Sequence, residues 1–113
     1  MARPLQSLSI QSTLKRHSNE RRSTRRNHLY AILDTSNKEI YKIGITSTDL
    51  TKDGVPKRAQ YQCNQLNTLE PDRFKPVLLI KDLPNRQIAL LIEVLFVELY
   101  KKTQGGLPGN RRF

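Results

Sequence analysis

The sequence predicts a small α+β domain in which a β-hairpin, one further strand and two helices share a single aliphatic core. Residues 29–33 and 40–45 alternate apolar and polar positions with the period of two that is typical of strands. Residues 56–67 and 85–102 instead place apolar side chains at helical spacing. The chain has 113 residues, is 36% hydrophobic and contains no Trp, so one modest core is expected.

The net charge of the chain indicates a polyanionic partner. The formal charge is +10 and the pI is about 10.2, which favours nucleic acid first and an anionic membrane or acidic protein next. Residues 1–27 carry +6 of this charge and residues 28–113 carry +4. We interpret residues 1–27 as a basic, flexible segment or linker that contacts phosphates through Arg25 and Arg26. A disordered tail or the remnant of a longer polypeptide is an equally good reading of this composition. The folded domain is predicted to occupy residues 28–113.

Several classes of protein are excluded by residue usage. The single cysteine, Cys63, rules out an intrachain disulfide and a zinc site built from cysteines. The longest apolar run, residues 88–100, is too short for a membrane span and carries two glutamates. The first residues contain no apolar segment of the signal-peptide type. We therefore expect a soluble protein that is compatible with a reducing cytoplasm and has no membrane partner.

The first hairpin, residues 28–44, is predicted to present a polar face. The turn is DTSNKE, and the apolar positions of the two strands should lie on one side of the sheet: Leu29, Ala31, Leu33, Tyr41, Ile43 and Ile45. Tyr30, Lys42 and Gly44 then lie together on the other side. A glycine inside a strand usually marks the close approach of another group, for which a phosphate is our candidate.

The first helix is predicted to begin near Pro56 and to present two faces. Its inner stripe is Ala59, Cys63 and Leu66, and its second face is Arg58, Tyr61 and Gln65. Lys57 and Arg58 are candidate nucleic-acid contacts at the start of this helix. A solvated surface charge is the alternative explanation for Arg58.

The second helix, residues 85–102, follows a short buried strand at residues 77–80 and should stop at Gly105. Its apolar stripe is predicted to be Ile88, Leu91, Ile92, Leu95 and Leu99. Glu98 can pair with Lys101 and Lys102 one turn later. Glu93 has no basic residue at helical contact spacing, so its carboxylate calls for a metal ion or an arginine from elsewhere.

Together, these motifs resemble the GIY-YIG endonuclease family over residues 28–110. HLY stands at the GIY position, and KIG stands at the YIG position with lysine replacing the second tyrosine; Tyr41 is one position out of register. The matching site residues are Tyr30, Lys42, Arg58, Tyr61, Glu93 in ALLIE, and Asn110 in LPGN.

The resemblance implies a three-stranded antiparallel sheet flanked by helices, and hydrolysis of phosphodiester bonds, in DNA more than in RNA. Glu93 would hold one Mg²⁺ or Mn²⁺, since such a hard cation needs few carboxylates. Tyr30 would position or deprotonate the attacking water, helped by Lys42, whose charge would lower the pKa of the phenol or orient the phosphate. Arg58 would stabilise charge on the phosphoryl oxygens, and Asn110 would orient Tyr30 or a water.

The YKIGIT strand and the GxLPGN ending resemble more narrowly the GIY-YIG domains at the C-termini of bacterial polymorphic toxins. That likeness implies delivery into a target bacterial cell, a cytoplasmic site of action and a cognate immunity protein as partner. The alternatives are a housekeeping nuclease of the same family for repair, restriction or mobile elements, a non-catalytic basic nucleic-acid-binding module, and a structural or protein-interaction domain. Glu93 favours the nuclease over the binding module because phosphate binding gains nothing from a nearby carboxylate.

Overall fold

The computed structural model describes residues 26–110, which contain three strands and two helices. In chain order these are β1 (Asn27–Asp34), β2 (Glu39–Thr46), α1 (Lys57–Leu66), β3 (Phe74–Leu83) and α2 (Arg86–Gln104). Arg25 and most of the predicted basic segment lie outside the described residues. The predicted order of elements is correct, and each predicted strand is longer in the structure than in the sequence-based prediction.

The three strands form one antiparallel sheet in the order β2-β1-β3, which confirms the predicted α+β fold class. One face of the central strand packs with α2 into a cluster that includes Leu29, Ala31 and Val97. The other face packs with α1 into a second cluster that includes Tyr30 and Cys63. Because β1 is covered on both faces, its side chains are almost all buried, and the domain has two small cores instead of one.

A β-bulge interrupts the first hairpin at Tyr41. Ile32 pairs with Lys42 and Leu33 pairs with Ile40, so Tyr41 is the extra residue on β2. The bulge places the Tyr41 side chain on the α1 face of the sheet. There its ring packs edge-on with the ring of Phe74, with 4.9 Å between the ring centroids. The prediction that Tyr41 shares a face with Ile43 was wrong for this reason.

The apolar stripe of α2 is rotated from its predicted position. Ala89 and Val97 are buried, whereas Leu91, Leu95 and Leu99 are each more than half exposed. Residues 88–97 are apolar around most of the helix, so helical spacing alone did not select the inner face. Within residues 26–110, neither helix is long and apolar enough to cross a membrane.

The α2 helix has a cap at each end, and its C-terminal cap is the predicted Gly105. The Asn85 side chain accepts a hydrogen bond from the backbone N–H of Ile88 at 3.0 Å, as an N-cap does. Gly105 has a φ of +84° and donates its N–H to the Lys101 carbonyl, which ends the helix.

An ion pair joins the end of β1 to the start of β3. The guanidinium of Arg73 donates to both oxygens of Asp34, at 3.0 Å from Nε and 2.7 Å from Nη2, and it also pairs with Glu70 at 2.9 Å. The Asp34 side chain is almost fully buried, whereas that of Glu70 is exposed. The Arg73 hydrogen bonds hold the pKa of the Asp34 carboxyl well below its usual range.

Candidate active site

Tyr30 is the buried centre of the candidate site. It lies on the middle strand opposite Gly44, and its side chain is 1% exposed. A Cβ at Gly44 would lie 2.7 Å from Tyr30 Oη and 2.8 Å from Cζ. The group that approaches Gly44 closely is therefore the phenol ring, and the expectation that a phosphate takes this space was wrong.

Gln62 holds the Tyr30 hydroxyl in place. The phenol Oη donates to Gln62 Oε1 at 2.7 Å. Gln62 lies on α1 one turn after Arg58, between the positions predicted to form the second face of that helix. Our sequence interpretation missed it, although its i+4 spacing from Arg58 was the available signal.

The first turn of α1 brings Arg58 near Tyr30. The backbone N–H of Arg58 donates to Thr48 Oγ1 at 3.1 Å, which ties the start of the helix to the loop after β2. Burial raises the pKa of the Tyr30 phenol, the positive charge of Arg58 opposes that rise, and the negative charge of Glu93 adds to it. Arg58 thus lowers the pKa of this phenol. For Lys42 we expected either this effect or orientation of the phosphate.

Lys42 and Glu93 complete a group of charges around this phenol. Burial lowers the pKa of the Lys42 ammonium, and the charge of Arg58 lowers it further, while Glu93 opposes the change. Burial raises the pKa of the Glu93 carboxyl, against the charges of Arg86 and Lys42. Arg58 and Glu93 each act on both Tyr30 and Lys42, and Lys42 acts on Glu93. We call this group the Tyr30 cluster: Tyr30, Lys42, Arg58 and Glu93.

Glu93 is chemically suited to hold a divalent cation. It is half-buried, and in the described part of the chain it forms no direct salt bridge, whereas Glu98 pairs with Lys101 at 3.8 Å. No three His, Cys, Asp or Glu side chains between residues 26 and 110 come together as a metal-binding group. A single carboxylate fits Mg²⁺, which keeps several waters and uses phosphate oxygens as further ligands.

Asn110 is placed on the outer edge of β2, not beside the Tyr30 hydroxyl. Its Oδ1 accepts from the backbone N–H of Ile43 at 2.8 Å, and its Nδ2 donates to the Ile43 carbonyl at 2.7 Å. Gln104 makes the same pair of bonds to Ile40, at 3.0 and 2.6 Å. Asn110 therefore holds the backbone next to Lys42. Its expected role of orienting Tyr30 or a water stays a prediction.

The remaining predicted site residues lie towards solvent. The Tyr61 side chain is largely exposed, and its hydroxyl accepts from Gln65 Nε2 at 3.0 Å. Lys57 and Arg26 are exposed, as is Arg58. Tyr61 and Lys42 both line an open cavity of about 270 Å³ between α1 and the turn at residues 108–109.

Buried Cys63 is not part of this site. Burial raises the pKa of its thiol to about 11, so the reactive thiolate is scarce at neutral pH. Its side chain packs in the cluster beneath α1. Cys63 is thus a core residue, as the inner stripe of the helix predicted.

A family model described as URI fold toxin 2 matches residues 20–105. That segment contains all three strands, both helices and the whole Tyr30 cluster, and it ends before Asn110. No curated protein and no solved structure matches the chain.

Proposed function

Because the chain belongs to the URI fold toxin 2 family, and so is a toxin domain, we propose that it acts as a metal-dependent endonuclease. Its substrate would be nucleic acid, DNA in preference to RNA. The observation that carries the proposal is the Tyr30 cluster, in which two cations and one unpaired carboxylate surround a buried phenol. These four residues are also the positions through which the sequence resembles GIY-YIG endonucleases.

Arg58 supplies the fixed positive charge that a phosphodiester requires. The planar guanidinium of Arg58 can bind two phosphoryl oxygens and stabilise the charge that develops on them. Because Arg58 is exposed while Tyr30 lies beneath it, a phosphate reaches the cluster from the α1 side of the sheet.

Hydrolysis then requires a positioned water and an acceptor for its proton. Tyr30 Oη donates to Gln62, so its lone pairs can accept a hydrogen bond, and we propose that a water donates it. We assign the water's proton to the neutral form of the Lys42 amine, which burial and the charge of Arg58 favour by lowering the pKa of that group. Once protonated, Lys42 is a cation beside the phosphate. The water oxygen bonds to phosphorus, and the P–O bond to the leaving sugar oxygen breaks. The leaving oxygen takes up a proton from solvent, so the products are a phosphate end and a hydroxyl end.

Glu93 would hold the metal ion, Mg²⁺ or Mn²⁺. When bound, the ion neutralises charge on the phosphate and on the leaving oxygen. A half-buried carboxylate near the bound phosphate would otherwise repel it. This repulsion is also the argument against a second candidate, a basic module that binds nucleic acid without cutting it.

Membership of a toxin family supports a toxic role over a housekeeping one. We therefore propose that the nuclease acts inside a target bacterial cell after delivery as part of a larger protein. The producing cell would need an immunity protein that blocks it. An acidic partner surface would suit a chain with a net charge of +10.

The test is cleavage by the purified protein with Mg²⁺, plasmid DNA and total RNA as separate substrates. Glu93→Ala is expected to abolish cleavage, and Tyr30→Phe to lower it at least a hundredfold. Glu98→Ala is the matched control because Glu98 lies on the same helix and pairs with Lys101. Absence of cleavage by the unmodified protein, or equal cleavage by Glu93→Ala, would overturn the proposal.

The role of Lys42 has its own test. Lys42→Arg keeps the positive charge but cannot release a proton near neutral pH. If Lys42 accepts the water's proton, Lys42→Arg loses most activity at every pH between about 6 and 9. If Lys42 only contacts the phosphate, Lys42→Arg retains activity with an unchanged pH profile, and the assignment is wrong.

A further inference from the structure

The cavity beside Lys42 is lined by apolar and aromatic side chains on some sides and by polar side chains on others. Its floor is Ile32, which pairs with Lys42 across the sheet, and the rest of its lining comes from α1, from the bulge in β2 and from the C-terminal turn. The apolar and aromatic members are Ile32, Tyr41, Tyr61, Leu66 and Pro108. A cavity of about 270 Å³ with such walls suits a flat, largely apolar ring.

The bulge and the C-terminal turn give this cavity a fixed wall. The Tyr41 ring packs edge-on with the ring of Phe74, with 4.9 Å between the ring centroids. The same Tyr41 ring also lies next to Gly109. A Cβ at Gly109 would lie 2.7 Å from Tyr41 Cε2, and the Gly109 N–H donates to the Tyr41 carbonyl at 2.8 Å. The aromatic wall is thus formed before any ligand arrives, which reduces the loss of freedom on binding.

Two glutamines place polar groups along the α1 wall. Gln62 uses its amide oxygen to accept from Tyr30, so its NH₂ group is the donor it can offer to a ligand. Gln65 uses its amide nitrogen to donate to Tyr61, so its oxygen is the acceptor it can offer. A neighbouring donor and acceptor match the hydrogen-bonding edge of a nucleobase.

The charge of the lining indicates how the ring is attached. Among residues 26–110, Lys42 is the one charged side chain that lines this cavity. A lining with a single positive charge fits a neutral ring that is joined to an anionic backbone. The ring would lie inside the cavity and the phosphate would lie at Lys42. A paired base cannot enter because its edge is occupied and its faces are stacked.

We propose that this cavity binds one unpaired nucleobase of the substrate, next to the phosphate held by the Tyr30 cluster. The inference rests on the proposed nuclease function and adds to it a substrate class, single-stranded or locally opened nucleic acid. The ring stacks against Tyr41 or Tyr61, and the two glutamines bond its edge.

The test measures binding with the Glu93→Gln variant, which keeps the site intact without cutting the probe. The probes are a 12-nucleotide strand of deoxythymidine and a strand of equal length made only of abasic sugar–phosphate units. Both carry the same charge, so phosphate contacts alone would bind them equally. We expect the abasic strand to bind about tenfold more weakly, the size of one lost stacking contact.

Variants in the same Glu93→Gln background localise the effect to the cavity. Gln65→Leu should reduce the preference for the thymidine strand to less than threefold, because it removes the acceptor at the rim. Gln60→Leu is the matched control, since Gln60 bonds Asn64 at 2.9 Å and does not line the cavity. A 2-aminopurine placed in the strand should change its fluorescence on binding, and Gln65→Leu should reduce that change.

The outcomes separate this inference from the nuclease proposal. Equal binding of the two strands overturns the base site, and cleavage by the unmodified protein would then leave the nuclease in place. A preference for the thymidine strand that Gln65→Leu abolishes supports the base site, even if nothing is cleaved. If Gln65→Leu leaves the preference for the thymidine strand unchanged, the base binds elsewhere and the assignment of the base site to this cavity is wrong.

Discussion

Tyr30 and Gly44 face each other across β1 and β2, and the phenol ring of Tyr30 occupies the space that a side chain at Gly44 would fill. The glycine therefore allows a large aromatic ring to lie flat on the sheet beneath α1. In this position the hydroxyl reaches Gln62 at 2.7 Å and comes within range of Arg58 and Glu93. The glycine thus shapes the site by leaving space for the phenol ring.

Gly44→Ala is expected to lower both stability and cleavage. The new methyl group would lie under 3 Å from the ring, and overpacking of this kind destabilises a protein by about 1–3 kcal/mol. Urea unfolding measures the change in the free energy of unfolding. In a Tyr30→Ala background the same substitution should destabilise much less, because the ring is gone. Additive effects of the two substitutions would contradict the contact.

Glu93→Gln is expected to stabilise the protein at neutral pH while it abolishes cleavage. Burial raises the pKa of Glu93 in the folded state, so its stabilising effect is complete below the ordinary pKa of a glutamate and is lost as pH rises through the raised value. A neutral glutamine has no charge to bury, so the variant does not lose this stability at neutral pH. We expect its free energy of unfolding to be higher by about 0.5–1 kcal/mol at pH 7.

Urea unfolding in EDTA measures this gain without a contribution from bound metal. The gain should shrink as the pH is lowered towards the ordinary glutamate pKa. Glu98→Gln serves as the control and should give no gain, because Glu98 is exposed and paired with Lys101. A loss of stability in Glu93→Gln would show that the carboxylate has a protein partner that the site description lacks.

Asp34→Asn is expected to destabilise the protein by about 1–2 kcal/mol, since it removes the negative charge and replaces one of the two oxygens that accept from the guanidinium with an NH₂ group. The pKa of Asp34 is lowered in the folded state, so its contribution is complete above the ordinary aspartate pKa and is lost as pH falls below it. Thermal unfolding between pH 7 and pH 3 should therefore show a shallower acid dependence in the variant.

Glu70→Gln provides the comparison for Asp34→Asn. Glu70 pairs with the same Arg73 but is exposed, so its loss should change stability by less than about 0.5 kcal/mol. Equal effects of the two substitutions would mean that burial of Asp34 contributes nothing to the pair.

Asn110→Ala is expected to expose the backbone of β2 next to Lys42. The amide of Ile43 loses its acceptor, so its hydrogen exchange should speed up several-fold, with a loss of about 1 kcal/mol in stability. Gln104→Ala should do the same at Ile40 and leave Ile43 protected. If the exchange rate of the Ile43 amide is unchanged in Asn110→Ala, the Asn110 side chain does not protect the backbone at this edge of β2.

The sequence by itself determined the type and order of the elements, because strand alternation, helical spacing and the signals at Asn85 and Gly105 are local. It also indicated Glu93 as anomalous, since the absence of a basic residue three or four positions from it on its own helix can be read from the chain. The positions of Tyr30 and Lys42 on one face followed from the even register of the hairpin.

Only the tertiary structure decided which groups meet. The bulge that turns Tyr41 towards α1 depends on pairing between strands, and the inner face of α2 depends on which side of an almost wholly apolar helix meets the sheet. The Tyr30 ring above Gly44, the Asn110 amide on Ile43 and the Arg73 pair with Asp34 all join residues distant in sequence. Such contacts depend on how the elements pack and on which buried polar groups find hydrogen-bond partners. Local spacing in the sequence predicts neither.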